Sequence, residues 1–215
     1  MNQTNRLIAT PALLLGLAAA ALAQQWEVGG NAGTGFLKGV AVTAPAGTAT
    51  AGLQSGGVFG GFVGQNLYKH LSGEFRYNFL QSNLKLTAGG TEAKFNGVSH
   101  AIHYDLLLHT GPRRSKVQAF VTMGGGMRIF RGTGKEAAYQ PLNQYAILTR
   151  TQELKPMASV GGGLKFAISR RLCLRTEFRD YFTAFPKQVI APSPGAKVGG
   201  LMHDFVPLVG LSITF

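Results

Sequence analysis

This 215-residue sequence has little of what stabilises most small secreted domains or covers most soluble surfaces. It holds a single cysteine, Cys173, so an internal disulfide framework is excluded. Only 14% of its residues are charged, fewer than a usual soluble surface carries. Beyond residue 23 it has no run of 18 uncharged apolar residues, and no stretch keeps an apolar period of 3.6 residues. The sequence therefore predicts neither a membrane-spanning helix nor a helical core.

The first 23 residues have the pattern of a cleaved signal peptide. Arg6 supplies a short positive region, and an apolar run starts at residue 7. Ala21 and Ala23 then place small residues at the two positions that a signal peptidase reads. The apolar run is short for a membrane anchor, which needs about 20 residues. We predict a signal peptide over 1–23 and an exported domain over 24–215.

Acidic residues are scarce, and the formal net charge of the chain is +12. Such a basic chain suggests nucleic acid as a partner. An export signal instead favours anionic lipid or lipopolysaccharide, and we expect no nucleic-acid binding. A glycine-rich phosphate loop is not predicted either, because GTGKE at 132–136 lacks the required spacing.

What the sequence does contain is alternation of apolar and polar residues in eight segments, separated by Gly, Pro and polar clusters. The predicted strands span about 25–37, 56–67, 71–81, 94–108, 117–130, 157–169, 172–183 and 203–215. The connections alternate between long ones, at about 38–55, 82–93, 131–156 and 184–202, and short ones, at 68–70, 109–116 and 169–171. This alternation predicts an all-β fold, an eight-stranded antiparallel up-and-down transmembrane β-barrel with its long loops at the extracellular end.

The two faces of each predicted strand decide between a soluble barrel and a membrane barrel. In the third strand one row contains Phe75, Tyr77 and Phe79, and the opposite row contains Glu74 and Arg76. Across all strands the polar rows are mostly Gly, Ser, Asn and Thr with one to three charges each. The solvent face of a soluble barrel would be dense with charge, whereas a narrow lumen has room for this composition. We therefore assign the polar rows to the lumen and the apolar rows to lipid.

The predicted lumen contains five acids and five bases, and a closed lumen of low dielectric constant requires such near-neutral pairing. A Glu-Phe-Arg triplet occurs twice, at 74–76 and 177–179, in what we interpret as one hairpin type used twice. The acids are Glu27, Glu74, Asp105, Glu177 and Asp204, and the bases are Arg76, Arg128, Lys165, Arg175 and Arg179.

Two residues do not fit this pattern. Pro207 lies inside the last strand, so we expect regular pairing of that strand to begin only near Leu208. Asp180 falls on the lipid-facing row, and we place it at the extracellular rim or after a bulge, where its cost is small.

The segments GGGLKFAISRRLCLRTEFRDYF (161–182) and VPLVGLSITF (206–215) resemble the OmpA-like and porin-like outer-membrane β-barrel family. Such families end on a strand of alternating apolar residues with a final aromatic, here Val209, Leu211, Ile213 and Phe215. The resemblance implies a location in the cell outer membrane. It also implies that the terminal pattern is the signal read by the outer-membrane assembly machinery.

Three kinds of function are left open. The first is a structural or porin-like barrel with a charged, largely plugged lumen. The second is a surface adhesin or receptor, with basic loops over lipopolysaccharide. The third is a lipid A-modifying enzyme, which needs a nucleophile, a base and an orienting acid near the outer rim. Only His203 and Asp204 lie there, on opposite faces of one strand. We therefore expect no catalytic residue, and no metal or cofactor.

Overall fold

The structure, a computed structural model, describes residues 26–111 and 115–215, so the predicted signal peptide lies outside the described residues. No helix in this part of the chain is long and apolar enough to cross a membrane. The strands, in chain order, are β1 (Trp26–Lys38), β2 (Val40–Ala44), β3 (Gly47–Leu53), β4 (Gly56–Asn66), β5 (Leu71–Gln81), β6 (Leu84–Ala88), β7 (Thr91–Phe95), β8 (Gly97–His109), β9 (Val117–Gly132), β10 (Ala146–Leu148), β11 (Gln152–Ala167), β12 (Leu172–Ala184), β13 (Ile190–Pro192), β14 (Lys197–Val198) and β15 (Leu201–Thr214).

Eight of these strands close into a barrel in the order β1-β15-β12-β11-β9-β8-β5-β4, and all neighbours are antiparallel. Strands that follow one another along the barrel lie side by side, and the last strand pairs with the first. The predicted all-β, eight-stranded up-and-down topology is therefore confirmed. The predicted strand ends agree to within a few residues, and β5 spans the predicted 71–81.

The outer wall of the barrel is apolar and its lumen is polar, as the two rows of each strand predict. Phe75 and Met123 on the outer rows are 54% and 63% exposed, whereas their sequence neighbours Glu74, Arg76 and Thr122 point inward and are buried. A soluble barrel has the opposite arrangement. An apolar outer wall requires lipid around it.

The four long connections, which the sequence predicts to be loops, contain further strands. They contain the seven shorter strands, which form a five-stranded sheet in the order β14-β2-β3-β6-β7 and a two-stranded sheet, β10-β13. We call residues 39–55, 82–96, 133–151 and 185–200 the cap. Its strands are two to seven residues long and rich in Ala, Thr and Gly, so their alternation is weak in the sequence.

The cap has a hydrophobic core of its own. On β2 the buried residues Val40 and Val42 alternate with the exposed Ala41 and Thr43, and the other strands of this sheet follow the same rule. The buried set is Val40, Val42, Ala44, Ala49, Ala51, Leu53, Leu84, Leu86, Ala93, Phe95, Phe130, Leu142, Tyr145, Ala146, Leu148, Phe185, Val189, Ile190 and Met202. The cap is thus a small soluble-type unit on the mouth of the barrel.

The expectation that pairing of the last strand begins near Leu208 is wrong. β15 pairs with β12 from Leu201 onward, and Pro207 lies opposite Phe178 within this regular ladder. On its other side, β15 pairs with β1 at Leu208 and again at Phe205, with no pair between them. Proline has no N–H to donate, so it interrupts one ladder without changing the register.

Candidate functional site: the charged lumen

The centre of the lumen is built from two strands that face each other. β5 and β12 are separated by three strands in either direction around the barrel. They carry the repeated Glu-Phe-Arg triplets, and the phenylalanines point out to lipid while the charged residues point inward. The nitrogen Nη2 of Arg76 lies 2.6 Å from Oε1 of Glu74 on its own strand and 2.9 Å from Oε1 of Glu177 on the opposite strand. The two triplets that repeat along the chain therefore pair with each other across the lumen.

Arg175 extends this centre toward the end of the barrel that has short turns. It lies 2.8 Å from Glu74 and 2.9 Å from Glu177, and Nη1 reaches Oε1 of Glu27 at 3.3 Å. The other oxygen of Glu27 accepts from Lys165 at 2.6 Å. The Phe62 ring lies 4.1 Å from the guanidinium carbon of Arg175, which adds a cation–π contact.

Arg179 connects this centre to β8. Its Nε lies 2.8 Å from Oε2 of Glu177, and its Nη1 lies 2.6 Å from Oδ2 of Asp105 on β8. The same carboxylate oxygen lies 2.9 Å from Nδ1 of His103. His103 belongs to this cluster, although it is not among the predicted charged residues of the lumen. Its position two residues before Asp105, on the same row of one strand, was the available signal.

Arg128 forms a separate group nearer the cap. Its Nη2 lies 2.8 Å from Oδ2 of Asp204 on β15, and it donates to the Ser99 hydroxyl at 3.0 Å. The ring of Phe130 lies 4.9 Å from its guanidinium carbon. Val58, Leu80 and Met157 belong to a small cluster of buried apolar side chains, and Val58 and Leu80 line a small cavity together with Asp204.

Together these contacts place paired charges across the middle of the lumen. Arg76, Arg128, Arg175 and Arg179 are all fully buried, at 0% exposure, and each one contacts at least one carboxylate from another strand. A buried charge is tolerated only when it is paired and hydrogen-bonded. The structure thus brings all eight residues proposed as the lumen charge network into contact with an opposite charge.

On the outer wall, Asp180 lies in an unbulged ladder beside His203. Nδ1 of His203 donates to Oδ2 of Asp180 at 3.0 Å, and the rings of Phe182 and Phe205 pack against the imidazole. The pair explains how a carboxylate is accommodated on this row. Asp204, which follows His203 in the sequence, points into the lumen to Arg128, so it cannot share a site with the imidazole.

The terminal residues Val209, Leu211 and Ile213 lie on the outer row of β15, between β1 and β12, and all are exposed. The N–H of Phe215 donates to the carbonyl of Trp26 at 2.9 Å, which closes the seam between the two ends of the barrel.

Three solved structures share this architecture. Neisserial surface protein A has a TM-score of 0.52 and 12% identity, and the match covers 88% of this chain and 97% of that chain. The outer-membrane protein OprG from Pseudomonas aeruginosa has a TM-score of 0.55 and 9% identity, with 89% and 97% covered. The N-terminal barrel domain of OprF from the same organism has a TM-score of 0.50 and 12% identity, with 89% and 98% covered. This chain has the fold of the eight-stranded outer-membrane barrels.

At identities of 9–12%, these structural similarities establish the fold alone. The function has to be argued from the residues of this chain. No family model matches the sequence, and no curated protein matches it. No group of three or more His, Cys, Asp or Glu side chains that could hold a metal ion occurs within residues 26–111 and 115–215.

Proposed function

We propose that this chain is a structural outer-membrane barrel with a sealed lumen, which presents a folded cap at the extracellular end. The supporting observation is the set of four fully buried arginines, paired with carboxylates across the lumen. A porin keeps a water-filled channel through its barrel. Here the ion pairs occupy that path, and no diffusing solute can pass while they hold.

The orientation follows from the connections. Barrels of this type have short turns on the periplasmic side and long connections outside the cell. The cap therefore faces outward, and its basic residues meet the phosphates of lipopolysaccharide. The row Val209, Leu211, Ile213 and Phe215 is the signal for the outer-membrane assembly machinery, because this strand must be recognised before it closes against β1.

Osmotic swelling of liposomes tests the seal. Liposomes that contain the wild-type protein should swell in a small sugar no faster than empty ones. The double variant Arg175→Ala and Arg179→Ala should swell faster, because it removes the two side chains that bridge most of the carboxylates. The matched control is Arg170→Ala in an exposed turn. Fast swelling of wild-type liposomes would contradict the proposal.

A surface adhesin or receptor is the second candidate, and the observation in its favour is that the cap is folded. Its exposed β3 residue Thr50 should be labelled in intact cells by a membrane-impermeant maleimide after Thr50→Cys substitution in a Cys173→Ser background. The matched variant Lys116→Cys, in a periplasmic turn, should be labelled only after permeabilisation. The reverse pattern would place the cap inside and reject a surface role.

Enzymatic modification of lipid A is not part of the proposal. A His–Asp pair exists on the outer wall, but acyl transfer also needs a nucleophile bonded to the imidazole. Among the described residues the imidazole of His203 has one hydrogen bond, to Asp180. We expect wild type and His203→Ala to be equally inactive in a lipid A deacylation assay. Deacylation by wild type that His203→Ala abolishes would show an enzyme.

A further inference from the structure

A groove separates the two sheets of the cap. One wall is β7, the last strand of the five-stranded sheet, and the groove has a volume of about 200 Å³. The buried side chains of Ala93, Phe95 and Leu148 form its floor. Lys135 and Tyr139 lie on the opposite wall, and Tyr139 is 74% exposed.

The backbone of β7 is open toward this groove. β6 and β7 are joined by Gly89 and Gly90, whose φ angles of 54° and 81° are those of a type I′ turn. Such a turn puts its flanking residues in a hydrogen-bonded pair, and the pairs alternate along the hairpin. Ala93 therefore bonds to β6, whereas the N–H and C=O groups of Glu92 and Lys94 point into the groove. Within the described residues these backbone groups bond to no other group.

The outer edge of β7 is open because the chain that follows β9 turns away from it after Gly134. The carbonyl of Asn96, next on this row, accepts from the N–H groups of Thr133 and Gly134 at 2.8 and 3.2 Å. Beyond Gly134 the chain attaches to β10 instead, where the side-chain amide of Gln140 bonds both the N–H and the C=O of Leu148, at 2.9 and 2.8 Å. The pairing between β8 and β9 therefore continues as far as Asn96 and stops there. The outward-pointing backbone groups of Glu92 and Lys94 on β7 remain unpaired.

The charge around the groove is positive. Oε1 of Glu92 lies 2.7 Å from Nζ of Lys85 and 3.4 Å from Nζ of Lys94, and the hydrogen bond from Lys85 lowers the pKa of Glu92. One carboxylate thus faces two lysines on this wall, and Lys135 adds a third cation from the other wall.

We propose that the groove binds an extended peptide segment of a partner protein by adding it as a strand to β7. The backbone groups of Glu92 and Lys94 would supply the pairing. Apolar side chains of the peptide would face the floor of the groove, and acidic side chains would alternate with them and meet the lysines. This inference rests on the proposed outward orientation of the cap, and it adds the chemistry of the partner.

Fluorescence anisotropy of the full chain in detergent micelles tests this, with a labelled six-residue peptide that alternates glutamate and valine as the probe. Lys94→Pro removes one N–H that points into the groove and leaves the bonds to β6 intact. It should weaken binding about tenfold, the effect of one lost hydrogen bond with steric blocking of the edge. The matched variant Lys94→Gln keeps the N–H and should weaken binding about threefold through charge alone. Unchanged heat-modifiable gel mobility shows that the barrel folds in both variants, and unchanged amide hydrogen exchange in β3 and β6 shows that the cap does.

Two probe controls complete the test. In an antiparallel pair the glutamates of the peptide lie opposite Glu92 and Lys94 and exchange backbone hydrogen bonds with them. A peptide that alternates lysine and valine, and a glutamate–valine peptide with N-methylated glutamates, should therefore both bind at least about tenfold more weakly. The proposal is overturned if the original peptide does not bind wild type at millimolar concentration, or if Lys94→Pro binds it as well as wild type does. The swelling and labelling experiments do not involve this groove. A result there that contradicts the proposed function can therefore be told apart from a peptide that fails to bind here.

Discussion

The barrel and the cap are packed with opposite chemistry, and the change begins within the barrel strands that lead up to the cap. β9, which ends where the cap begins, shows it. In the barrel it turns Arg128 inward and Met127 outward, and two residues further on it turns the buried Phe130 inward and the exposed Arg131 outward. β1 and β5 change in the same way at their upper ends, where Leu37 and Leu80 point inward and Lys38 and Gln81 point outward.

The medium outside each region explains this inversion. Lipid surrounds the barrel, so apolar side chains are stable on its outer wall and the polar ones must pair within the lumen. Water surrounds the cap, so the hydrophobic effect puts apolar side chains inside. Along each strand the side chains continue to alternate between inside and outside. We place the membrane surface at the level where the apolar side chains change from the outer row to the inner row.

The two interiors should differ most in how they respond to the loss of one side chain. Arg175→Ala leaves Glu27, Glu74 and Glu177 without one of their cations in a buried site. Breaking a buried ion pair in this way costs about 3–5 kcal/mol. The measurement is urea unfolding in detergent micelles, followed by the fluorescence of the single tryptophan, Trp26. Arg170→Ala, in a turn, should change the free energy of unfolding little, and equal losses in both variants would contradict the account.

Removing one large buried side chain from the cap should lower the free energy of unfolding less than removing Arg175 from the lumen does. Leu86 is fully buried in the cap core, and Leu86→Ala should cost about 3 kcal/mol through lost burial and a cavity. The loss should be local, with faster amide hydrogen exchange in β2, β3 and β6 and unchanged heat-modifiable mobility of the barrel. Leu201→Ala, at an exposed position, is the control. Loss of the folded barrel band in Leu86→Ala would mean that the two regions do not fold separately.

One arginine placed on each outer surface tests the inversion itself. Met123→Arg puts a charge on the lipid-facing wall near the middle of β9, where it should cost about 2–3 kcal/mol. Thr50→Arg puts the same charge on the outer face of the cap, where a surface substitution should stay within about 0.5 kcal/mol. Urea unfolding of both variants in liposomes checks this. Equal costs would show that the proposed membrane level is misplaced.

The sequence was sufficient for the barrel because its strands are long and both rows are unambiguous. Residues such as Phe75 and Arg76 alternate over eleven or more positions, and the lumen charges balance. The cap could not be predicted, because its strands are short and their small residues, such as Ala49 and Thr50, fit either environment. The His203–Asp180 pair was also missed, since it joins two strands 23 residues apart and depends on register.

The central claim is that the ion pairs of the lumen, and not the cap, close the barrel. Single-channel recording in planar bilayers of wild type beside Leu86→Ala tests it most directly, because this substitution loosens the cap and leaves every lumen charge in place. We predict that neither protein produces conductance steps. Steps in Leu86→Ala alone would show that the cap is the seal, and steps in wild type would show that the lumen is open.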